Sequence, residues 1–157
     1  MSFSMKIALV LLGLCASVMV GWAYYFTLSL PSKVELKINN QYIIADTAVS
    51  ELARAKGLSG RAQLNVNEGM FFYFFKPERP AFWMKDMHFP IDILWIANHR
   101  IVGIEENVDP QVGAPEGELK SYVPPEPVER VLELSAGRAR LLNAHIGDFV
   151  ANRPLVY

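Results

Sequence analysis

The sequence predicts an α+β domain, mostly antiparallel β with two short helices, preceded by one N-terminal transmembrane helix. Three observations lead to this prediction. An uncharged apolar run occupies the start of the chain, short β-branched and aromatic runs separated by turn residues follow it, and only two short stretches have helical signals. A sheet of many short strands with few helices is expected to curl or to close into a barrel. We therefore divide the chain into residues 1–32, an anchor or signal segment, and residues 33–157, a single strand-rich domain.

The N-terminal segment is long enough to span a membrane. Ile7–Leu30 is almost wholly apolar, with Lys6 before it and Pro31 after it. As a helix it would extend about 35 Å, which exceeds a hydrocarbon core of about 30 Å. Two interpretations stay open: a single-pass anchor with the domain on the extracytoplasmic (periplasmic) side, or a signal peptide cleaved near Ala23 that releases a secreted domain. The run is longer than an ordinary signal core, which favours the anchor.

The composition excludes several classes of function. Cys15 is the only cysteine and lies in the predicted anchor, so the domain can form neither a disulfide nor a thiolate metal site. After Pro31 the chain has 14 basic and 16 acidic residues, without the basic excess of a nucleic-acid-binding protein. The histidines, His88, His99 and His145, do not have the spacing of metal ligands. We expect no cofactor, no metal and no nucleic-acid partner.

Turn residues divide the domain into short strands. The predicted strands are Val34–Ile38, Gln41–Ala45, Gly69–Phe75, Ile91–Ala97, Ile101–Glu105, Val128–Leu134 and a final strand after Gly147-Asp148. Asn39-Asn40 and His99-Arg100 are expected to form hairpin turns, the first because asparagine tolerates the left-handed conformation. Asn107–Pro127 is rich in proline and glycine and has no periodicity, which is typical of a functional or disordered loop.

Two short helices are predicted between these strands. The first is Ala48–Lys56, capped by Thr47 and ended by Gly57. Its buried stripe is expected to consist of Val49, Leu52 and Ala53. Ser135 is expected to cap the second, which continues through Asn143.

The segment FWMKDMHFPIDILWI, Phe82–Ile96, places charged residues inside an apolar run. Both faces of its second half are apolar, so Asp92 is expected to be buried and to need a partner. If residues 87–90 form a hairpin loop, Lys85 lies directly opposite Asp92, close enough to pair with it. This structural interpretation predicts a cross-strand ion pair.

The functional interpretation is a polar pocket. Trp83, Lys85 and Asp92 would combine an aromatic plate with a fixed cation and anion, an arrangement that can hold a polar ligand. Arg61, after the first helix, could reach a carboxylate of the protein or of a ligand. No residue is singled out as catalytic, because neither a nucleophile elbow nor a phosphate-binding loop is found in the sequence.

Several segments of the domain together resemble a known family. They are ELARAKGLSGR at Glu51–Arg61, EGMFFYF at Glu68–Phe74, FWMKDMHFPIDILWI at Phe82–Ile96, PVERVLELSAG at Pro127–Gly137, and IGDFV at Ile146–Val150. From about Ile44 to Val150 the chain is similar to the bacterial and archaeal family named Domain of Unknown Function 192. The resemblance implies a compact, strand-rich domain, often exported or membrane-attached, and it implies no reaction.

These observations together favour a binding protein over an enzyme. We expect a membrane-tethered, extracytoplasmic domain that acts as a non-catalytic binding or accessory subunit of a membrane or envelope assembly. Its expected partners are the membrane, through the N-terminal helix, and a membrane protein complex or an envelope component. The alternative is an envelope-associated hydrolase with Lys85, Asp92 and Arg61 in a polar pocket.

Overall fold

A computed structural model describes residues 32–155 of the chain. The predicted transmembrane helix and the cleavage position at Ala23 lie outside this range. Within it, no helix combines the length and the apolar composition that crossing a membrane requires.

The described residues form a seven-stranded sheet with two short helices. The elements, in chain order, are β1 (Lys33–Ile38), β2 (Gln41–Ala48), α1 (Glu51–Lys56), β3 (Glu68–Glu78), β4 (Ile91–Ala97), β5 (Arg100–Val108), β6 (Val128–Ser135), α2 (Arg138–Leu141) and β7 (Val150–Pro154). The strand order is β5-β4-β6-β3-β2-β1-β7. Neighbouring strands are antiparallel except β2 and β3, which are parallel and are connected through α1. The strand-rich class is therefore confirmed, with a mixed sheet.

The sheet is curled but not closed, so a closed barrel is not formed. Its edge strands are β5 and β7. The backbone before β7 nevertheless reaches the start of β5, where the N–H of Ile101 donates to the carbonyl of Asp148 at 3.0 Å. The N–H of Val150 likewise donates to the carbonyl of His99 at 2.8 Å. The curl therefore brings one end of each edge strand together.

Both faces of the sheet are buried in its middle. Because strand side chains alternate, each central strand contributes to two apolar clusters. The inner cluster takes side chains from all seven strands and is packed by α2 through Ala139 and Leu142. The outer cluster includes Phe72, Ile93, Trp95 and Val131, and is covered by Leu58, Phe82, Met84 and Met87. A charged residue in the middle of β4 or β6 is therefore buried on either face.

Both predicted hairpins are confirmed, but the second turn consists of Asn98 and His99, one residue earlier than predicted, and Arg100 begins β5. Asn39 joins β1 to β2 with a φ of 54°. Asn98 and His99 join β4 to β5 with φ values of 49° and 61°. Asparagine is among the residues that tolerate this left-handed region best, which explains why these turns can be recognised locally.

The first helix is shorter than predicted. Ala48 remains in β2, where it pairs with Phe72 of β3, so α1 begins only after Ser50. The hydroxyl oxygen of Ser50, not that of Thr47, accepts a hydrogen bond from the N–H of Ala53 at 3.2 Å. Gly57 ends the helix as predicted. The predicted buried stripe is wrong, because Leu52 is 84 % exposed and α1 has no buried residue.

The second helix also differs from its prediction. It comprises Arg138–Leu141, follows Gly137 and ends before Asn143. Ser135 does not cap it, because this residue is the last of β6 and its hydroxyl donates to the carbonyl of Leu64 at 2.8 Å.

The predicted hairpin between Phe82 and Ile96 is not formed. Both edges of β4 are already occupied, by β5 and by β6. Phe82 instead pairs with Tyr122, through backbone hydrogen bonds of 2.9 Å and 2.8 Å. The loop after β5 is therefore held against the segment before β4, and Glu116–Glu118 within it forms a 3₁₀ turn.

Candidate functional site

Asp92 is buried and is bound by backbone amides. Its side chain is 0 % exposed and lies on the inner face of β4. Oδ1 accepts hydrogen bonds from the N–H groups of Asn107 (2.9 Å) and Gly137 (3.1 Å), and Oδ2 accepts one from the N–H of Ala139 (2.8 Å). The donors belong to the end of β5 and to the start of α2. The backbone thus satisfies this carboxylate without a cation.

Lys85 does not pair with Asp92, so the predicted cross-strand ion pair is wrong. Its ammonium nitrogen donates to Oε2 of Glu116 at 2.7 Å. This hydrogen bond raises the pKa of Lys85 and favours the charged ammonium group. The two side chains are 41 % and 71 % exposed. The pair therefore connects two surface loops, because the segment that carries Lys85 is paired with the loop after β5 and forms no strand pair with β4.

Arg61 lies on the outer face and binds Asp46. One guanidinium nitrogen is 2.8 Å from Oδ2 of Asp46, and the ammonium nitrogen of Lys33 is 2.9 Å from Oδ1. Burial by itself would raise the pKa of Asp46, but the hydrogen bonds from Lys33 and Arg61 outweigh it, and the pKa is lowered. Asp46 is therefore an ionised partner that occupies Arg61.

Among the predicted binding residues, Trp83 lines a cavity of about 190 Å³ on the outer face. The indole is 46 % exposed. The cavity lies between the end of α1, the sheet and the segment before β4. Its apolar lining includes Leu58, Phe72, Phe74, Phe82 and Met87. The structure does not bring Lys85, Asp92 or Arg61 to this cavity.

Glu133 lines the same cavity and was not anticipated from the sequence. It projects from β6 toward the outer face, between Met70 of β3 and Ile93 of β4, and is only 6 % exposed. Its Oε2 atom is buried and has no hydrogen-bond partner among residues 32–155. Burial raises the pKa of Glu133 from 4.5 to about 8, against a weaker opposing effect of Arg61. At neutral pH the neutral acid therefore predominates.

The strand register explains why Arg61 does not neutralise Glu133. Across the outer face, Asp46 of β2 lies beside Met70 of β3, and Met70 lies beside Glu133 of β6. Adjacent strands are about 4.8 Å apart, so Asp46 and Glu133 are separated by roughly 10 Å at the backbone. Arg61 is held at Asp46, on the far side of Met70, and acts on Glu133 only from a distance.

Ring contacts and hydrogen bonds fix the walls of the cavity. Phe82 packs edge-on against Phe72 at 4.9 Å and against Trp95 at 5.4 Å. Arg54 donates to the carbonyl oxygens of Val49 (2.6 Å) and Tyr73 (3.1 Å), and its guanidinium lies 5.1 Å from the centre of the Phe74 ring. These contacts give the cavity a preformed shape, which is typical of small-ligand sites.

A signal for Glu133 was present in the sequence. Val131, Leu132 and Leu134 place apolar residues on both faces of β6, so the intervening glutamate must be buried. The same argument identified Asp92 in β4. The sequence could not show that backbone N–H groups bind Asp92, whereas Oε2 of Glu133 has no partner among the described residues. In the described part of the chain, no three His, Cys, Asp or Glu side chains are grouped so that they could hold a metal ion.

Residues 34–151 match the family described as Domain of Unknown Function 192, Uncharacterized ACR. The chain belongs to this family. Two solved structures are similar to this Domain of Unknown Function 192 protein. One, described as a candidate transcription regulator from Sinorhizobium meliloti 1021, has 29% identity and a TM-score of 0.70, and the match covers 78% of this chain and 95% of the other. The second, a protein of unknown function from Novosphingobium aromaticivorans DSM 12444, has 27% identity and a TM-score of 0.66, with 76% and 83% covered. Among curated proteins, none matches the chain significantly.

The family match confirms the resemblance predicted from the sequence segments. It includes the whole outer-face cavity and Glu133, which lies in the segment PVERVLELSAG. The site is therefore part of the family domain.

We expect the substitution Asp92→Ala to lower the free energy of unfolding by at least about 1–3 kcal/mol, because it leaves the buried N–H of Ala139 and the part-buried N–H groups of Asn107 and Gly137 without their acceptor. Lys85→Met is the matched control, since it removes an exposed ion pair and should leave the free energy of unfolding nearly unchanged. Urea denaturation of both variants measures these changes. Equal losses would contradict the assignment of Asp92 to the backbone amides.

We expect Glu133 to make stability depend on pH. The folded protein holds a proton here up to pH about 8, whereas the unfolded chain releases it near 4.5. The stability that the folded state gains from holding this proton is complete below pH 4.5 and is lost as the pH rises toward about 8. Relative to Glu133→Gln, the unfolding free energy of the unmodified protein should fall by about 1.4 kcal/mol per pH unit across this interval. The exposed Glu126→Gln is the control, and a constant difference from Glu133→Gln would refute a neutral Glu133.

Proposed function

We propose that this Domain of Unknown Function 192 protein is a membrane-tethered, extracytoplasmic binding protein without catalytic activity, and that the cavity at Glu133 is its ligand site. One observation supports the proposal: Glu133, whose buried Oε2 atom has no hydrogen-bond partner in the described residues, lines an aromatic cavity. A buried polar group left unpaired costs about 1–3 kcal/mol. A ligand that completes its hydrogen bonding recovers this free energy.

The arrangement of charges supports binding over hydrolysis. A catalytic set must converge on a space that a substrate can enter. Asp92 lies on the inner face and accepts hydrogen bonds from three backbone amides. Arg61 is bound to Asp46, and Lys85 is bound to Glu116. These side chains occupy three separate places, so they do not support the hydrolase alternative.

The size of the cavity limits what can enter it. Its volume of about 190 Å³ corresponds to roughly six water molecules at about 30 Å³ each. A small ligand fits this space, and so does one large side chain of a partner protein. The second occupant would agree with an accessory subunit of a membrane or envelope assembly.

The tether is supported by the sequence. The described domain begins at β1, directly after the apolar segment Ile7–Leu30. The formal net charge of −1 of this chain does not support nucleic-acid binding.

The experiment is native mass spectrometry of the full-length protein after extraction in mild detergent. We expect a bound small molecule or a stoichiometric partner on the unmodified protein, and its loss from Trp83→Ala. Phe75→Ala is the matched control, because Phe75 is an aromatic residue, 64 % exposed, outside the cavity lining. A bare monomer, or equal retention by Trp83→Ala, would contradict the proposed site.

The same preparation tests the tether. An uncleaved anchor gives the mass of the complete chain in the membrane fraction after an alkaline wash. A soluble product that begins near residue 24 would show signal cleavage and would overturn the tether without affecting the ligand site.

A further inference from the structure

We infer that the cavity accepts a small uncharged ligand with an apolar body and a carbonyl oxygen, and that the Glu133 carboxyl group donates the hydrogen bond to this oxygen. This inference rests on the proposed ligand site and specifies the chemistry of its occupant. The ligand class is an aromatic or branched amide, ester or ketone.

The state of Glu133 limits its role in binding. A buried carboxyl group can be satisfied in two ways: an ionised group accepts hydrogen bonds from a cationic or a neutral donor, or a neutral group donates its proton to a ligand oxygen. The residues beside Glu133 on the flanking strands, Met70 and Ile93, are apolar and stabilise no charge. Burial in such surroundings makes the ionised form costly and therefore raises the pKa of Glu133 to about 8. The neutral donor is therefore the form that meets a ligand at neutral pH.

The charges around the cavity also disfavour a cationic ligand. The charged residues that α1 contributes to the lining are Arg54 and Lys56, both basic. Arg61, from the segment after α1, is the further charge that acts on Glu133, and it too is basic. The residues of β3 and of the segment before β4 that line the cavity carry no charge. Lys85 and Asp86 line a separate cavity with the loop after β5. A ligand ammonium group would thus meet two cations at the cavity and a third nearby, which repel it.

The apolar side chains that line the cavity favour an apolar body for the rest of the ligand. Phe72, Phe74, Phe82 and Trp83 offer ring surfaces, and Leu58 and Met87 offer aliphatic and thioether surfaces. Burial of an apolar body against these side chains favours binding. The body positions the ligand, and the hydrogen bond from Glu133 orients its carbonyl oxygen.

Two probes of nearly equal size separate the alternatives. Benzamide is neutral and has a carbonyl oxygen, whereas benzylamine is an ammonium ion at neutral pH. Ligand-observed NMR with the full-length protein in detergent measures the affinity of each. At pH 6 we expect benzamide to bind at least about tenfold more tightly than benzylamine. The affinity for benzamide should fall about tenfold per pH unit above pH 8, as Glu133 ionises.

Variants of Glu133 complete the test. Glu133→Gln keeps a donor in a neutral side chain, so benzamide should still bind and the pH dependence should disappear. Glu133→Leu removes the donor and should lower the affinity tenfold or more. Tighter binding of benzylamine, increasing with pH, would overturn the neutral-ligand inference but keep the cavity as a ligand site. Unchanged benzamide binding by Glu133→Leu would overturn the donor role. Absence of binding of both probes to the unmodified protein would overturn the ligand site itself.

Discussion

A carboxyl group inside a protein must either find donors or lose its charge, and the central strands of this sheet show both outcomes. Asp92 in β4 faces the inner side, where backbone N–H groups from β5 and the start of α2 bind it. These bonds hold α2 in place, and α2 in turn packs the inside of the curl. Glu133 in β6 faces the outer side, where no such donor reaches its Oε2 among residues 32–155. The fold depends on the first carboxyl group, and the candidate site depends on the second.

Local signals predicted much of the fold. The turns at Asn39 and at Asn98-His99 require positive φ, which few residues accept. The first was predicted at its position, and the second was predicted one residue too late, at His99-Arg100. The hairpin predicted between Phe82 and Ile96 is not formed, for a non-local reason. Both edges of β4 are paired with other strands, and Phe82 pairs with Tyr122, 40 positions along the chain. The predicted start of α1 was wrong for the same kind of reason, since Ala48 pairs with β3 and so remains in a strand. Strand partners distant in sequence leave no local trace.

The candidate site was predictable only in part. Trp83 was recognised as an aromatic residue beside a charged turn, and it does line the cavity. The residues predicted to join Trp83 do not line the cavity. Asp92 lies on the inner face of β4, and Lys85 binds Glu116 in the loop after β5. Glu133 is the acidic residue of the cavity lining, and its burial could have been derived from the apolar residues on both faces of β6. Its lack of a partner depends on the strand register, which keeps Arg61 at Asp46.

Both the candidate site and its inferred ligand depend on a neutral, buried Glu133. The most direct measurement is the ¹³C chemical shift of its side-chain carboxyl carbon as a function of pH, assigned by comparison with Glu133→Gln. We expect a titration midpoint near pH 8, well above the ordinary value of 4.5. A midpoint near 4.5 would contradict it, because an ionised Glu133 at neutral pH would need a cation or donors that the described structure does not provide.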